Sequence, residues 1–518
     1  MKRRATSSGK AKRISTGKHP ARIRKINKHA GAVDVGAEEH YAAVPPESVP
    51  KGQPAVRSFS AFTTGIDALV EWFKECGVTT VAMESTGIYW IPLFQKLEAA
   101  GIKVVLVNAR YARNVPGRKT DVQDSQWLQE LHSCGLLEGS FRPADDICRL
   151  RSLMRHRENI IESAAKEIQH MQKAFQQMNL HLHHVLSDIN GVTGMRIIDA
   201  ILSGQRDPKE LVKLRERGTR YKSTQEQMEA ALTGDYRPEH VFVLKQSVET
   251  YRFHQAQLDD CDNEIEAVVK DLVDKCDEKP VDSATPRDDE DTNGTDGSPS
   301  EVNEASSNED SKMETGSSQP EAQEAGQSNT DAKRKQPRRK QAKGNAPTID
   351  FHDYLVEICG VDLTAISGIG IVTVLILISE IGVDMSRWRN AKAFCSWLGL
   401  CPGNKISGGK VLDSRTRKVV SRPARALRMS VQSLANSDTC LGHFYRRKKA
   451  HLGPGKATTA TARKLACVVY HMLKKKSAYQ PMDPIEYARK IEKHRFSKLQ
   501  KQATELGYQL VEVQAQAA

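Results

Sequence analysis

Four acidic residues in the N-terminal third of the chain could hold divalent metal ions. Asp34 lies in a short apolar run that predicts a strand, and Glu84 ends another such run. Asp121 and Asp124 stand three residues apart at the start of a predicted helix, so their carboxylates share one helical face. Four convergent carboxylates cannot all ionise cheaply without cations, and their hard oxygen atoms favour Mg²⁺ or Mn²⁺. The set predicts a metal site that activates a nucleophile on a phosphodiester, although each acid alone could be an ordinary strand-end or helix-capping residue.

A second candidate is Ser407, which lies in the turn-rich segment Gly399–Lys410 beside two glycines. Small neighbours permit close approach of a phosphate backbone, and a serine hydroxyl can attack phosphorus to form a covalent protein–DNA ester. A serine beside glycine is also a common loop residue, so spacing alone leaves that alternative open. The basic residues that could contact nucleic acid around it are Arg415, Arg417, Lys418, Arg422, Arg425, Arg428, Arg463 and Lys464.

The elements that must position the four acids alternate between strand and helix patterns, which predicts an α/β domain. Gly31–Gly36 and Tyr41–Val44 are predicted to form a hairpin, and Val78–Met83 a third strand. The later predicted elements are a helix over Ile91–Ala100, a strand over Ile102–Val107 and a helix over Asp121–Leu131. In an RNase H-like layout the first strand, a neighbouring strand end and a late helix converge, which would gather the acids.

Two long amphipathic stretches follow, one beginning at about Asp145 and the other spanning about Pro238–Val273. Their apolar residues recur mostly at steps of three and four, which predicts helices with one buried face. That face could close an intramolecular bundle or form a coiled-coil dimer arm. We favour the dimer, because two long antiparallel helices alone make a thin core.

Charge indicates the class of partner. Lys and Arg total 77 against 64 Asp and Glu, a formal net charge of +13, which suits nucleic acid. The chain has no apolar run long enough to span a membrane, so we expect a soluble protein of the bacterial cytoplasm, associated with the nucleoid. Its ten cysteines form no CxxC pair and no Cys/His cluster at zinc-ligand spacing, so structural zinc is not expected.

Leu363–Ile381 contains a Gly368-Ile-Gly370 turn that resembles a helix-hairpin-helix element, in which backbone N–H groups receive a phosphate.

Composition predicts six segments. The segments are a disordered basic arm (1–28), an α/β domain (29–144), a helical coiled-coil dimerisation region (145–275), a disordered acidic insert with a basic end (276–348), a mainly helical C-terminal domain (349–477) and a helical tail (478–518).

Taken together, these residues resemble the IS-one-ten family of insertion-sequence transposases, recombinases guided by a structured bridge RNA. The resemblance covers about Gly31–Val273 and Leu363–Lys476. The stretches that carry it are Val33-Asp-Val35, Met83-Glu-Ser-Thr-Gly-Ile-Tyr-Trp90, Pro116-Gly-Arg-Lys-Thr-Asp-Val-Gln-Asp124, Ser367-Gly-Ile-Gly370, Leu398-Gly-Leu400, Ser407-Gly408 and Ala462-Arg-Lys-Leu465.

The resemblance implies a RuvC-like domain whose Asp-Glu-Asp-Asp set matches Asp34, Glu84, Asp121 and Asp124. It also implies a C-terminal serine transposase domain whose nucleophile matches Ser407, activated by metal ions that the carboxylates bind. The implied partners are the DNA of the element ends and target, a bridge RNA, and further copies of the chain in a dimer or tetramer. The segment Ser421-Arg422-Pro423 departs from the Lys, Gly and Asn that relatives usually place there.

Two other functions fit the same residues. A structure-specific nuclease of the resolvase type would use the four acids without Ser407. A non-catalytic remnant of a mobile element would bind nucleic acid through its basic surfaces alone.

Overall fold

The computed structural model describes residues 25–85, 87–108, 120–216, 222–277, 345–417 and 419–511. It comprises two compact units, Met1–Arg142 and Pro143–Ala518. Most of the predicted basic arm and most of the acidic insert lie outside the described residues. The last residues of both segments are described and make contacts: Asn27 donates a hydrogen bond to the His132 carbonyl, and the Asn345 carbonyl accepts one from Arg157.

A five-stranded sheet forms the framework of the first unit. Its strands are β1 (Ala30–Val35), β2 (Glu39–Ala43), β3 (Val56–Ser60), β4 (Thr80–Glu84) and β5 (Lys103–Val107). They lie in the order β3-β2-β1-β4-β5, with β1 to β3 antiparallel and with β4 and β5 parallel to β1. The first hairpin agrees with the sequence-based prediction, but β3 was missed, so the strand predicted as the third is the fourth. An edge strand such as β3, with no fully buried residue, carries little apolar signal.

The helices of the first unit cover both faces of this sheet. They are α1 (Thr63–Glu75), α2 (Trp90–Ala99) and α3 (Asp121–Ser133). Val33, Val81 and Met83 share a core with apolar residues of α1 and α2. Ala32 and Ala82 point to the opposite face, because side chains alternate along a strand, and there they pack with Leu128 of α3. The N-terminal unit is therefore a mixed α/β domain.

The second unit begins with the long helix α4 (Asp145–Gln177), which pairs with a later long helix, Pro238–Asp277. The pair is antiparallel, since Asp146 contacts Lys275 and Arg149 contacts Asp271. Midway along it, Arg157 and Asp262 form a buried ion pair with Nε and Oδ1 2.6 Å apart. The two helices thus pack against each other within one chain, and the coiled-coil dimer stays a prediction.

Four short helices join the two long ones: α5 (Leu182–Val185), α6 (Val192–Leu202), α7 (Pro208–Lys213) and α8 (Gln225–Ala231). They enclose a core with the end of α4 and the start of the second long helix, named α9 from here. Met171, Phe175 and Ile197 are among its fully buried side chains.

The rest of the second unit is mostly helical. Its elements are α10 (His352–Cys359), α11 (Ile371–Ile381), α12 (Ala391–Trp397), β6 (Lys405–Ser407), β7 (Lys410–Asp413), α13 (Arg422–Ser433), α14 (Cys440–Leu452), α15 (Pro454–Lys475) and α16 (Pro484–Glu505). The hairpin β6–β7 departs from the prediction of helix and loop. A tight glycine turn between short strands has too few residues to show a periodic pattern.

Ion pairs attach this C-terminal part to α4. Arg155 donates two hydrogen bonds to the Glu380 carboxylate on α11, at 2.8 and 2.9 Å. Glu158 accepts from both Arg422 and Arg425 on α13. Among the described residues, no helix is both long and apolar enough to cross a bilayer.

Candidate functional site

Neighbouring strands place Asp34 and Glu84 side by side. β1 and β4 run parallel, with Val33 paired to Met83, so the two acids are the next residues along each strand. Asp34 follows Ala32 by two positions and Glu84 follows Ala82 by two, so both carboxylates lie on the sheet face that α3 covers. Both residues are half-buried. The alternation of these short strands therefore brings together two acids that are 50 positions apart.

Helix α3 brings the second pair of acids to the same face. Thr120 caps the helix by accepting a hydrogen bond from the Gln123 backbone N–H, so Asp121 and Asp124 occupy its first turn. Leu128, four residues after Asp124 and on the same helical face, packs on Ala32 and Ala82. The Gln129 side-chain amide also donates a hydrogen bond to the Ala30 carbonyl, at 3.0 Å. These contacts fix the register of α3 over the sheet.

The electrostatics of Asp34 show that the four carboxylates interact. The pKa of Asp34 is raised to about 6, first because burial penalises its charged form and then because of the negative charges of Glu84, Asp121 and Asp124. The backbone N–H of Val35 opposes this shift with a hydrogen bond. A carboxylate that three other acids repel is stabilised by a cation among them.

This donor set fits a hard divalent cation. Carboxylate oxygens are the ligands that Mg²⁺ and Mn²⁺ prefer, and two of the four acids, Asp121 and Asp124, are exposed. No three of the four carboxylates have oxygen atoms that all lie within 4.8 Å of one another. Because Asp121 and Asp124 are exposed, their side chains can rotate towards Asp34 and Glu84 when a cation binds.

Two features beside the acids were missed by the sequence analysis. Tyr41 of β2 pairs directly with Asp34, and its hydroxyl donates a hydrogen bond to Glu39 at 3.0 Å. This bond and the charge of Glu39 raise the pKa of Tyr41, with a smaller contribution from Asp121. After Glu84, the side chains of Ile88 and Tyr89 are exposed. Only the strand register identifies Tyr41 as a neighbour of the acids.

Ser407 is the last residue of β6 and is exposed. It pairs with Lys410 across a two-residue turn made by Gly408 and Gly409, whose φ angles are +55° and +76°. Positive φ at both positions is typical of a tight hairpin turn that glycine adopts without strain. A side chain built at either glycine would meet no atom within 4 Å, so the space around the serine is open.

The residues predicted to contact nucleic acid differ in exposure and in the contacts that their side chains already make within the chain. Arg415 is 90% exposed and lies 3.5 Å from Asp413, whereas Arg417 donates a hydrogen bond to the Ser396 carbonyl. Arg425 pairs with Glu158, and Lys464 lies over the Phe444 ring. Arg428 and Arg463 are half-buried, and Lys418 lies outside the described residues. Of the predicted set, Arg415 is the residue that a bound strand could reach with the least rearrangement.

The segment that departs from the family pattern has a local explanation. Ser421 caps α13, and Pro423 occupies the second position of the helix, where its missing N–H costs no hydrogen bond. The segment therefore starts a helix.

Two family models match the chain. Residues 32–180 match the DEDD transposase model of IS110, described as a transposase, and residues 362–446 match a model described as the transposase IS116/IS110/IS902 family. The first includes all four acids and the second includes Ser407. No curated protein is similar enough to the chain to count as a match.

Proposed function

This chain belongs to the IS110 family of transposases, which cut and rejoin DNA, and we propose that it does so with four carboxylates and a serine nucleophile. The carboxylates are those of Asp34, Glu84, Asp121 and Asp124, and the nucleophile is the Ser407 hydroxyl. One observation carries the proposal: the parallel register of β1 and β4 and the first turn of α3 bring four acids to one face of the sheet. There the pKa of Asp34 is raised, first by burial and then by the charges of the other three acids.

The fold of the first unit supports an RNase H-like interpretation of the carboxylate site. Asp34 lies on the central strand β1, Glu84 ends the adjacent strand β4, and the two aspartates stand on a helix that crosses both strands. This is the convergence that an RNase H-like layout requires. A family model named for its Asp-Glu-Asp-Asp set also spans the region.

The DEDD match implies a divalent metal requirement, and the oxygen donors favour Mg²⁺ or Mn²⁺. When bound, such an ion supplies positive charge that stabilises the phosphoryl oxygens and favours the deprotonated hydroxyl. The chain itself keeps Asp34 and Glu84 half-buried and leaves Asp121 and Asp124 exposed, where a DNA strand could reach them.

The serine step conserves the phosphodiester bond energy. The Ser407 oxygen bonds to phosphorus as its proton leaves, the bond from phosphorus to one deoxyribose oxygen breaks, and that oxygen takes up a proton to become a free hydroxyl. A hydroxyl of another DNA end then attacks the phosphoserine and releases the serine. Exposure at a glycine turn lets a bulky strand reach Ser407, and Lys405, Lys410 and Arg415 place positive charge nearby.

We further propose a guide RNA and self-association. The net charge of +13 suits a second polyanion, and the family relationship supports an RNA that selects the DNA by base pairing. Phe242 and Phe253 on α9 are 59% and 60% exposed and, 11 residues apart, lie on nearly the same helical face. A second copy of the chain would cover this apolar face and form a dimer or a tetramer.

Replacement of Ser407 by alanine tests the nucleophile. We expect Ser407→Ala to lose the covalent DNA adduct and strand exchange, measured by denaturing gel electrophoresis of the protein with labelled DNA, guide RNA and Mg²⁺. Ser437→Ala, in the turn before α14, is the matched control and should keep both. If Ser407→Ala still forms the adduct, another residue is the nucleophile.

A second candidate function is a metal-dependent nuclease that needs no serine. One observation favours it: all four acids lie within the first compact unit. In this case Ser407→Ala would still cut DNA at the wild-type rate, whereas Asp121→Asn would not. A wild-type protein that binds DNA and RNA but never cuts would instead indicate a non-catalytic remnant.

A further inference from the structure

Three histidines cluster at the turn that follows α4, well away in sequence from the four acids. His181, His183 and His184 each offer a ring nitrogen, and these nitrogens all lie within 4.8 Å of one another. Among the described residues, no other group of three histidines, cysteines or acids is so close. The rings pack together, with centroids of His183 and His184 4.2 Å apart.

The backbone of this turn is held firmly. The His181 N–H donates to the Ala231 carbonyl at 2.8 Å, and the His184 N–H donates to the His181 carbonyl at 2.9 Å. Leu180 and Leu182 are fully buried in the helical core, and they alternate with the histidines. These leucines hold the backbone on both sides of His181, and the His184 ring contacts the rings of both His181 and His183. The cluster is therefore a consequence of the fold as well as of sequence proximity.

The protonation of the rings suits metal binding. The Asn179 side-chain oxygen lies 3.0 Å from Nε2 of His181, and because this oxygen can only accept, Nε2 carries the proton. The Nδ1 atom of His181 is then an unprotonated lone pair. This atom and Nδ1 of His183 are buried and, within the described part of the chain, have no hydrogen-bond partner. Such unsatisfied buried nitrogens are uncommon and call for an explanation. A neutral imidazole is the form that binds a metal ion, whereas an imidazolium cannot.

We propose that His181, His183 and His184 form a binding site for a Zn²⁺-class transition-metal ion. Three imidazole nitrogens leave the fourth tetrahedral position for water or a further ligand, and imidazole suits Zn²⁺, Co²⁺ or Ni²⁺ rather than Mg²⁺. With zinc–nitrogen bonds of about 2.0–2.1 Å, the nitrogens of a tetrahedral site lie about 3.3–3.4 Å apart, so the three rings would turn closer together as the ion binds. The ion would pin the end of α4 to the short helices packed on it.

The proposed site departs from the sequence-based expectation that the chain holds no structural zinc. That expectation rests on the spacings of known zinc motifs, which His181-Leu-His183-His184 does not match. The site is chemically distinct from the carboxylate site, because its donors are nitrogens of borderline softness and the carboxylate donors are hard oxygens.

The test is a Co²⁺ titration of the full-length chain, purified without a polyhistidine tag, followed by visible absorption and displacement with Zn²⁺. We expect one Co²⁺ with the intense absorption typical of tetrahedral nitrogen coordination, displaced by one Zn²⁺. His183→Gln should weaken binding by at least about 100-fold, and Asn179→Gly by about 10-fold, since it removes only the partner of a ligand. Glycine keeps the φ of +55° at position 179 without strain.

Two controls separate this site from others. His170→Gln removes an exposed histidine of α4 and should leave Co²⁺ binding unchanged, as should Asp121→Asn at the carboxylate site. Should His183→Gln fail to fold, His184→Gln replaces an exposed side chain and must still lose binding. Wild-type absorption that does not change with Co²⁺, or a folded His184→Gln protein that binds Co²⁺ as the wild type does, would overturn the proposal.

Discussion

The surroundings of Asp34 and of Ser407 differ in what holds them in place. Asp34 lies on a central strand, between paired neighbours and under a helix that packs on adjacent alanines. Ser407 lies at the end of a three-residue strand, beside two glycines with open space around them. Tertiary packing positions Asp34, whereas the backbone conformation of the glycine turn positions Ser407. Substitutions near Asp34 should therefore alter both folding and activity, and substitutions near Ser407 should alter activity alone.

The largest effect is expected at a carboxylate. Asp121→Asn removes a negative charge from the set and should slow Mg²⁺-dependent DNA cutting by about 10³-fold or more, the size seen when a group that stabilises transition-state charge is lost. Single-turnover cleavage of labelled DNA measures this rate. Glu130→Gln, on the exposed face nearer the end of the same helix, should cut at the wild-type rate. Equal rates for Asp121→Asn and wild type would remove Asp121 from the site.

A smaller effect is expected from a substitution that disturbs the packing of α3 on the sheet. Ala82→Leu would force α3 away from the sheet and should lower the free energy of unfolding by about 1–3 kcal/mol. Because α3 carries Asp121 and Asp124, cleavage should fall as well. Leu412→Ala in the exposed hairpin β6–β7 should change stability by less than about 0.5 kcal/mol. Urea unfolding of both variants measures the two changes in the free energy of unfolding. A larger loss for Leu412→Ala than for Ala82→Leu would contradict the prediction.

The raised pKa of Asp34 predicts a pH dependence of stability in the presence of a chelator. The pKa is raised from 3.8 to about 6 in the folded chain, so the stability that the protonated form contributes is complete below pH 3.8 and is lost as the pH rises through about 6. The full shift would correspond to about 3 kcal/mol, and partial solvent screening reduces this to roughly 1–2 kcal/mol.

Asp34→Asn should abolish this component. Unfolding at pH 4.5 and pH 7 with a chelator should show that the variant gains stability relative to wild type at the higher pH. A variant whose difference from wild type is the same at both pH values would show that the pKa of Asp34 is not raised in the folded chain.

The smallest effect is expected at the glycine turn. Gly409→Ala places a side chain at a φ of +76°, which costs about 1–2 kcal/mol locally and should reduce the yield of the serine–DNA adduct by about 5- to 30-fold. The melting temperature should change little, because no described residue packs on this side of the turn and the strain stays within the hairpin. Gly409→Asn should be milder, since asparagine tolerates this conformation better. A fall in melting temperature would indicate that the hairpin is part of a core.

Several elements were predictable because their signal is local. The starts of α3 and α4 at Asp121 and Asp145 agree with the sequence-based prediction, as does the helix over Pro238–Asp277. A capping residue or a long apolar stripe suffices for such elements. Strand β3 and the hairpin β6–β7 were missed, because a half-exposed edge strand and a three-residue strand lack a strong period.

The sequence by itself determined which residues are candidates for the chemistry: the four acids, Ser407 and the basic residues near it are recognisable by type and by family motif. Only the tertiary structure decided which of them meet. Parallel pairing of β1 with β4 and the register of α3 bring the acids together and place Tyr41 beside them. Contact between residues far apart in sequence depends on strand register and helix packing, which arise from the whole core and leave no local pattern.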